Sequence, residues 1–320
     1  MLLVSSGAVA LGQGVLGRPS RLDAKQAAAA IGQPLLMQAW QAAMSNAGIQ
    51  TAQLLLTLDD TESRRRWLNA RATLEVLLRR GALPVINEND TVATEELRYG
   101  DNDRLSARVA QMARCDLLIL LSDVDGLYTA DPATNPDATH VPAIADLSEA
   151  RAWASSSSAS GMGSGGMRTK LDAAWIAQQA GCATVIASGR EAHPLRRLMT
   201  GEGRSTVVTP HGSPASAYKQ WIVGTLSPSG GVTIDEGAAK ALGNGKSLLP
   251  AGVVAVSGEF AQGACLAIFD MEGRELGRGI SRYASNEAGR IVGIRAAEIA
   301  EKLGYSRGDE LVHRDDLVLL

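Results

Sequence analysis

Five short apolar runs constrain the fold more than any other feature of this chain. They lie at residues 2–4, 53–57, 83–86, 117–121 and 183–187. Each is continuous instead of alternating, the pattern of strands buried on both faces. Between them, residues 24–47 and 63–80 have the length and composition of helices, and residues 104–113 those of a shorter one. Strands of this kind interleaved with helices predict an α/β fold, a three-layer αβα sandwich around a mostly parallel sheet. Ligands of such sheets bind beyond the carboxyl ends of the strands. The unusual residues stand there: Ser5-Ser6-Gly7, Asn87-Glu88-Asn89-Asp90 and Ser122-Asp123 each follow an apolar run.

The texture changes at Pro210, Gly212, Ser213 and Pro214, a cluster of turn formers. Closely spaced strand-like pieces then follow at 232–234, 253–256, 265–270 and 277–281, two of them joined as a hairpin through Glu272-Gly273. The expected organisation is an α/β domain over 1–215, a linker over 216–227 and a small β-rich domain over 228–320. A length of 320 residues suits two domains. With aromatics at only 4%, the cores should be aliphatic and alanine-rich.

Several function classes are excluded at this level. A net charge of −3 gives no general attraction to nucleic acid or anionic membrane. Cys115, Cys182 and Cys265 form no C-x-x-C, so they read as reduced, packed thiols rather than a metal cluster or disulfide framework. No run approaches the roughly 20 apolar residues of a membrane span. Met1-Leu2-Leu3-Val4 has no basic residue beside it and meets Ser5-Ser6-Gly7 at once, unlike a signal peptide. A cytoplasmic location is expected.

The stretch Gly161-Met162-Gly163-Ser164-Gly165-Gly166-Met167-Arg168-Thr169-Lys170 carries the strongest functional signal. Glycines let backbone N–H groups converge on an anion, and an amphipathic helix is predicted from Met167 to Gln179. A glycine nest opening into a helix N-terminus is a phosphate site by geometry and dipole, with Lys170 about one turn in. It is not a Walker loop, because Met167 follows the last glycine and the order is Thr169-Lys170. The competing reading is a Gly/Ser linker, since Ser155 to Ser160 is a polar tract. Gly100-Asp101-Asn102-Asp103 precedes the helix near Arg104, where an acidic residue serves equally as a cap. Beside a phosphate nest, this cluster and Asn87–Asp90 also suit an ammonium group and a magnesium–phosphate complex. Asp123-Val124-Asp125-Gly126-Leu127-Tyr128 lacks the later glutamate of an EF-hand.

Taken together, Val4-Ser5-Ser6-Gly7-Ala8, Pro84 to Asp90, Gly100 to Asp103, Ser122 to Tyr128 and Gly163 to Lys170 resemble the amino acid kinase family in order and spacing. The tail, with Val232 to Ala238 and Ser281-Arg282-Tyr283, resembles a PUA domain. The resemblance implies phosphoryl transfer from ATP, with Mg²⁺, to the γ-carboxylate of L-glutamate. It implies substrate contacts at Ser6, Gly7, Asp90 and Asn102. Ser6-Gly7 would meet the carboxylate and Asp90 the ammonium group. ATP contacts are implied at Ser122, Asp123, Ser164, Gly165, Gly166, Met167, Arg168, Thr169 and Lys170. Lys170 would steady the transferring phosphoryl group, and Asp103 would hold the lysine and magnesium in register. Proline as a feedback inhibitor and a homo-oligomer are implied too. The family's first strand, with its Lys-Leu-Gly-Ser/Thr turn, has no counterpart ahead of Met1, so a non-catalytic fragment is one alternative. RNA binding through the tail is another, disfavoured by ten Lys/Arg against thirteen Asp/Glu over 228–320.

Overall fold

The computed structural model describes residues 1–18, 21–93, 102–132, 134–154, 166–225 and 227–320. The chain divides into two compact units, Met1–Pro214 and Ala215–Leu320.

The first unit begins with strand β1 (Leu3–Val4) and helices α1 (Ala8–Leu16) and α2 (Leu22–Ser45). Strand β2 (Thr51–Leu56), helices α3 (Leu58–Glu62) and α4 (Arg64–Arg79) and strand β3 (Leu83–Glu88) follow. These strands form a parallel sheet in the order β1-β3-β2. Alternate residues of β3 divide its faces, as the two-residue period of a strand requires. Asn87 turns to α2, where its amide bonds Gln33. Ile86 joins Leu56, Leu74 of α4 and Leu105, Val109 and Met112 of the next helix in one core cluster. Helix, sheet and helix thus make three layers. Burying a side chain such as Leu74 or Ile86 contributes about 1.5–3 kcal/mol.

That next helix, α5 (Asn102–Met112), packs on β1, on β3 and on strand β4 (Leu117–Ser122). Its Ala107 and Ala110 face a second core cluster, opposite in role to Leu105, Val109 and Met112. A small antiparallel pair, β5 (Leu127–Tyr128) with β6 (His140–Val141), then leads to β7 (Ala143–Ile144) and α6 (Leu147–Ala154). Helix α7 (Met167–Gln179), strand β8 (Ala183–Ser188), helix α8 (Pro194–Met199) and strand β9 (Ser205–Val208) complete the unit. The second sheet runs β4-β8-β9-β7, with β9 antiparallel to β8 and the other pairings parallel. Among the described residues β1 and β4 each end their sheet, and Leu117 and Leu121 of β4 stay 46% and 44% exposed.

Cys182 sits at the entry to β8, 1% exposed. Burial, and then the neighbouring Cys115 and Asp116, push its thiol up to about 12; burial also pushes Cys115 up. A thiolate is the reactive form, so Cys182 is expected to resist a disulfide reagent at pH 8 until the protein unfolds. Stoichiometric labelling of Cys182 in the native state, read by peptide mass, would contradict this.

The stretch 216–227, expected as a linker, holds helix α9 (Pro214–Thr225). The second unit continues with β10 (Gly230–Ile234), α10 (Glu236–Gly243), β11 (Val253–Ser257), β12 (Cys265–Phe269) and β13 (Glu275–Ser281). Helices α11 (Ser285–Ile291) and α12 (Ile299–Leu303) and strand β14 (Val312–Leu319) close it. Its sheet is ordered β11-β10-β12-β13-β14, with the hairpin between β12 and β13 turning at the expected place. Tyr283, fully buried, donates its hydroxyl to the Gly308 carbonyl at 2.6 Å, which pins the loop before β14.

Candidate active site

The site is assembled at the carboxyl ends of β1 and β3 by two helix starts. After β1 the backbone N–H of Ser5 still pairs with the Ile86 carbonyl at 3.0 Å, and the Trp40 indole of α2 donates to the Ser5 hydroxyl at 2.9 Å. Gly7 then takes φ +119° at the head of α1. Only glycine adopts that conformation without strain. The turn leaves Ser6 exposed in front of α1, whose first-turn N–H groups have no side-chain cap.

Asn87, 3% exposed, forms the hub beneath Ser6. Its Oδ1 accepts from the backbone N–H of Glu88 and from Asn102 Nδ2, each at 2.9 Å. Its Nδ2 donates to Gln33 Oε1 at 2.9 Å, and Gln33 in turn donates to Gln53 Oε1 at 3.2 Å. Asn102 also donates to Ser6 Oγ at 2.7 Å. Asp90 lies two residues past β3, half-buried.

Asp103, the next residue of α5, faces the other way. Its Oδ2 receives Lys170 Nζ at 2.9 Å and the Thr169 hydroxyl at 3.1 Å. The two charged side chains are only 10% and 17% exposed, so each ion compensates the other's lost hydration. Asp103 therefore lies inside the first turn of α5, turned towards α7. Gly166 stands ahead of α7 without a side-chain cap, and Thr169 folds back on the Gly166 carbonyl at 2.8 Å. Met167 packs its side chain on the core, and Arg168 is exposed. Ser164 and Gly165 lie outside the described residues, as do Gly161 to Gly163 and Gly100-Asp101.

Ser122 and Asp123 form another set, at the ends of β4 and β8. The Ser122 carbonyl receives the Gly189 N–H at 2.7 Å, and its hydroxyl donates to Asp123 Oδ1 at 3.1 Å. Arg190 stands 3.7 Å from Asp123. Sequence reasoning passed over Gln33, Trp40 and Arg190. The first two are buried or half-buried in an alanine-rich helix, a burial that only the structure reveals.

Two half-sites thus meet on consecutive residues of α5: an amide and hydroxyl cluster around Asn102, and a lysine–carboxylate pair around Asp103. Residues 1–188 match the model of the Amino acid kinase family. The chain belongs to the amino acid kinase family. Residues 230–303 match the PUA domain. Among amino acid kinases, the chain is 55% identical to "Glutamate 5-kinase" of Caulobacter vibrioides (strain NA1000 / CB15N), over 100% of this chain and 85% of that protein. It is 53% identical to the protein of that name from Rhizobium rhizogenes, over 100% and 82%. For the one from Paramagnetospirillum magneticum the figures are 52%, 100% and 86%. No described helix is long and apolar enough to cross a membrane.

Proposed function

We propose that the chain transfers the γ-phosphoryl group of ATP to the γ-carboxylate of L-glutamate, giving γ-glutamyl phosphate, the first step of proline biosynthesis. The observation that carries this reading is the pair Asn102-Asp103, which ties the hydroxyl of Ser6 to the ammonium of Lys170 through one helix turn. Similarity to glutamate 5-kinases along the whole chain supports it.

The nucleophile is ionised at neutral pH, since a glutamate carboxyl has a pKa of about 4.3. No general base is required. The barrier lies in bringing an anion to a polyanion, so positive charge and fixed donors must lower it. In this reading Ser6, Gly7 and the head of α1 hold the α-carboxylate, and Asp90 and Asn102 meet the ammonium group. Ser122, Asp123 and residues 164–170 hold ATP. Lys170 stabilises charge on the transferring phosphoryl group, kept in place by Asp103. No three His, Cys, Asp or Glu side chains converge among the described residues. A magnesium ion would come with ATP, as is usual for that ion, and would neutralise phosphate charge, with Asp103 holding the lysine and the ion in register. Proline shares the carboxylate and amine end of glutamate and is proposed as a competing inhibitor. A homo-oligomer in the cytoplasm belongs to the same reading. RNA binding as the main role is disfavoured, because Arg274, Arg278 and Arg282 are each paired, with Asp270, Glu275 and Glu310.

Hydroxylamine trapping tests the proposal. With Mg-ATP, the chain is expected to yield hydroxamate from L-glutamate and none from N-acetylglutamate or aspartate. Hydroxamate from either control alone would overturn the substrate assignment.

A further inference from the structure

We infer that Gln26 is a positioning residue of the glutamate site: its side-chain amide clasps the turn after β3 and so holds Asp90 against the α-ammonium group. The inference rests on the glutamate reading above and deepens it.

Sheet pairing ends at Glu88, so the chain beyond it needs other ties. Residues 89–93 form one compact turn, in which the N–H groups of Val92 and Ala93 both reach the Asn89 carbonyl, at 3.2 and 3.1 Å. The Thr91 hydroxyl closes on Asn89 Oδ1. Two bonds then tie the backbone of this turn to the rest of the unit, one at each end. At its start the Asn89 N–H donates to the Leu56 carbonyl at the end of β2, at 2.9 Å. At its finish the Ala93 carbonyl accepts from Gln26 Nε2 of α2 at 3.1 Å. Asp90 lies between the two ties. A body held at one point swings about it, and a second tie removes that freedom.

The direction of the Gln26 bond is settled by chemistry, since a carbonyl oxygen only accepts and the amide must present its NH₂. Ala93 is 1% exposed, so its carbonyl has little water to turn to when that donor is withdrawn. The turn must then shift to satisfy it, and Asp90 shifts with it. Gln26 also belongs to a built face of α2. Gln33 and Trp40 follow at intervals of seven residues and bond Asn87 and Ser5. Such intervals return to nearly the same side of a helix, so one face of α2 reaches Ser5, Asn87 and Ala93.

Glutarate, which is glutamate without the ammonium group, is the probe. The ratio of its Ki to the L-glutamate KM is measured with Mg-ATP and hydroxylamine, glutamyl hydroxamate being counted by mass. The KM for ATP serves as control. Gln26→Met removes the donor at nearly constant shape, and Gln26→Glu replaces it with a charged acceptor; both new residues are good helix formers. Each is expected to lower the ratio about fivefold, the scale of one ordinary hydrogen bond, with the ATP KM unchanged. The glutamate variant separates the clasp from simple charge, because an added anion near an ammonium group would by itself raise the ratio. An unmoved ratio in folded Gln26→Met, even with a lowered Tm, overturns the inference. So does a parallel weakening of glutamate, glutarate and ATP, or a ratio that rises in Gln26→Glu. Asp90→Asn is the reference, expected to lower the ratio at least as far. If it leaves the ratio unmoved, the ammonium assignment fails and takes this inference with it. The same follows if the unmodified chain gives no hydroxamate from L-glutamate. If Asp90→Asn lowers the ratio and the Gln26 variants do not, the functional reading stands alone.

Discussion

Lys170→Met is expected to lower kcat by about 10²–10³, the scale for removing one preorganised donor from developing charge, while the KM for L-glutamate moves little. The side chain is held at 2.9 Å from Asp103 and is 8% exposed as a residue, so it neither wanders nor shares its charge with bulk water. Fixed charge in a water-poor setting acts without reorganisation as the phosphoryl group transfers. Lys170→Arg is not expected to restore the rate, because a planar fork cannot occupy the space of a compact ammonium. The role of Asp103 follows from a double-mutant cycle. If the carboxylate acts by holding Lys170, Asp103→Asn costs activity in the parent and little in the Lys170→Met background. Additive losses would assign Asp103 an independent task, and a Lys170→Met chain with more than a tenth of the parent kcat would remove the lysine from the reaction.

The parts of this site that were legible in the sequence are those encoded locally. Strand β3 was readable because 83–86 is an unbroken apolar run, and the amide cluster directly behind it marks its carboxyl end. Helix α7 spans Met167–Gln179 as its periodicity predicts, with Gly166 in an extended conformation at its start. Helix α1 was not foreseen. Gly12 and Gly14 weaken it as an isolated helix, and only its packing against α2 makes Gly12 an advantage. Helix α9 was hidden by the Pro and Gly residues ahead of it, although Pro214 at its first position is a helix-start signal. The Gln33–Asn87 bond joins residues 54 apart, and nothing in either local sequence announces it. The Lys170–Asp103 pair, 67 apart, was reached through the family resemblance rather than through spacing.

Gly32→Ala and Gly14→Ala are expected to act with opposite sign. A Cβ on Gly32 would be driven into the Ala8 carbonyl oxygen, and one on Gly12 into that of Ala28. These atoms belong to helix backbones, so no side-chain rotation relieves the clash; α1 and α2 must separate. Overpacking costs typically 1–3 kcal/mol, and backbone-to-backbone contact puts Gly32→Ala near the upper end, about 3 kcal/mol. For a unit of this size that is roughly 6–12 °C in Tm. The damage also reaches the site. Gly32 adjoins Gln33, and α1 begins directly after Ser6-Gly7. Near a melting temperature still above assay conditions, the KM for L-glutamate should therefore rise while the KM for ATP holds. Gly14 has open space around it and ordinary helical φ, so Gly14→Ala should stabilise by about 0.5–1 kcal/mol through reduced backbone freedom. Thermal unfolding of the two variants decides the matter: equal Tm values would mean that the α1–α2 contact is not the close backbone packing described, and the KM change would then lose its cause.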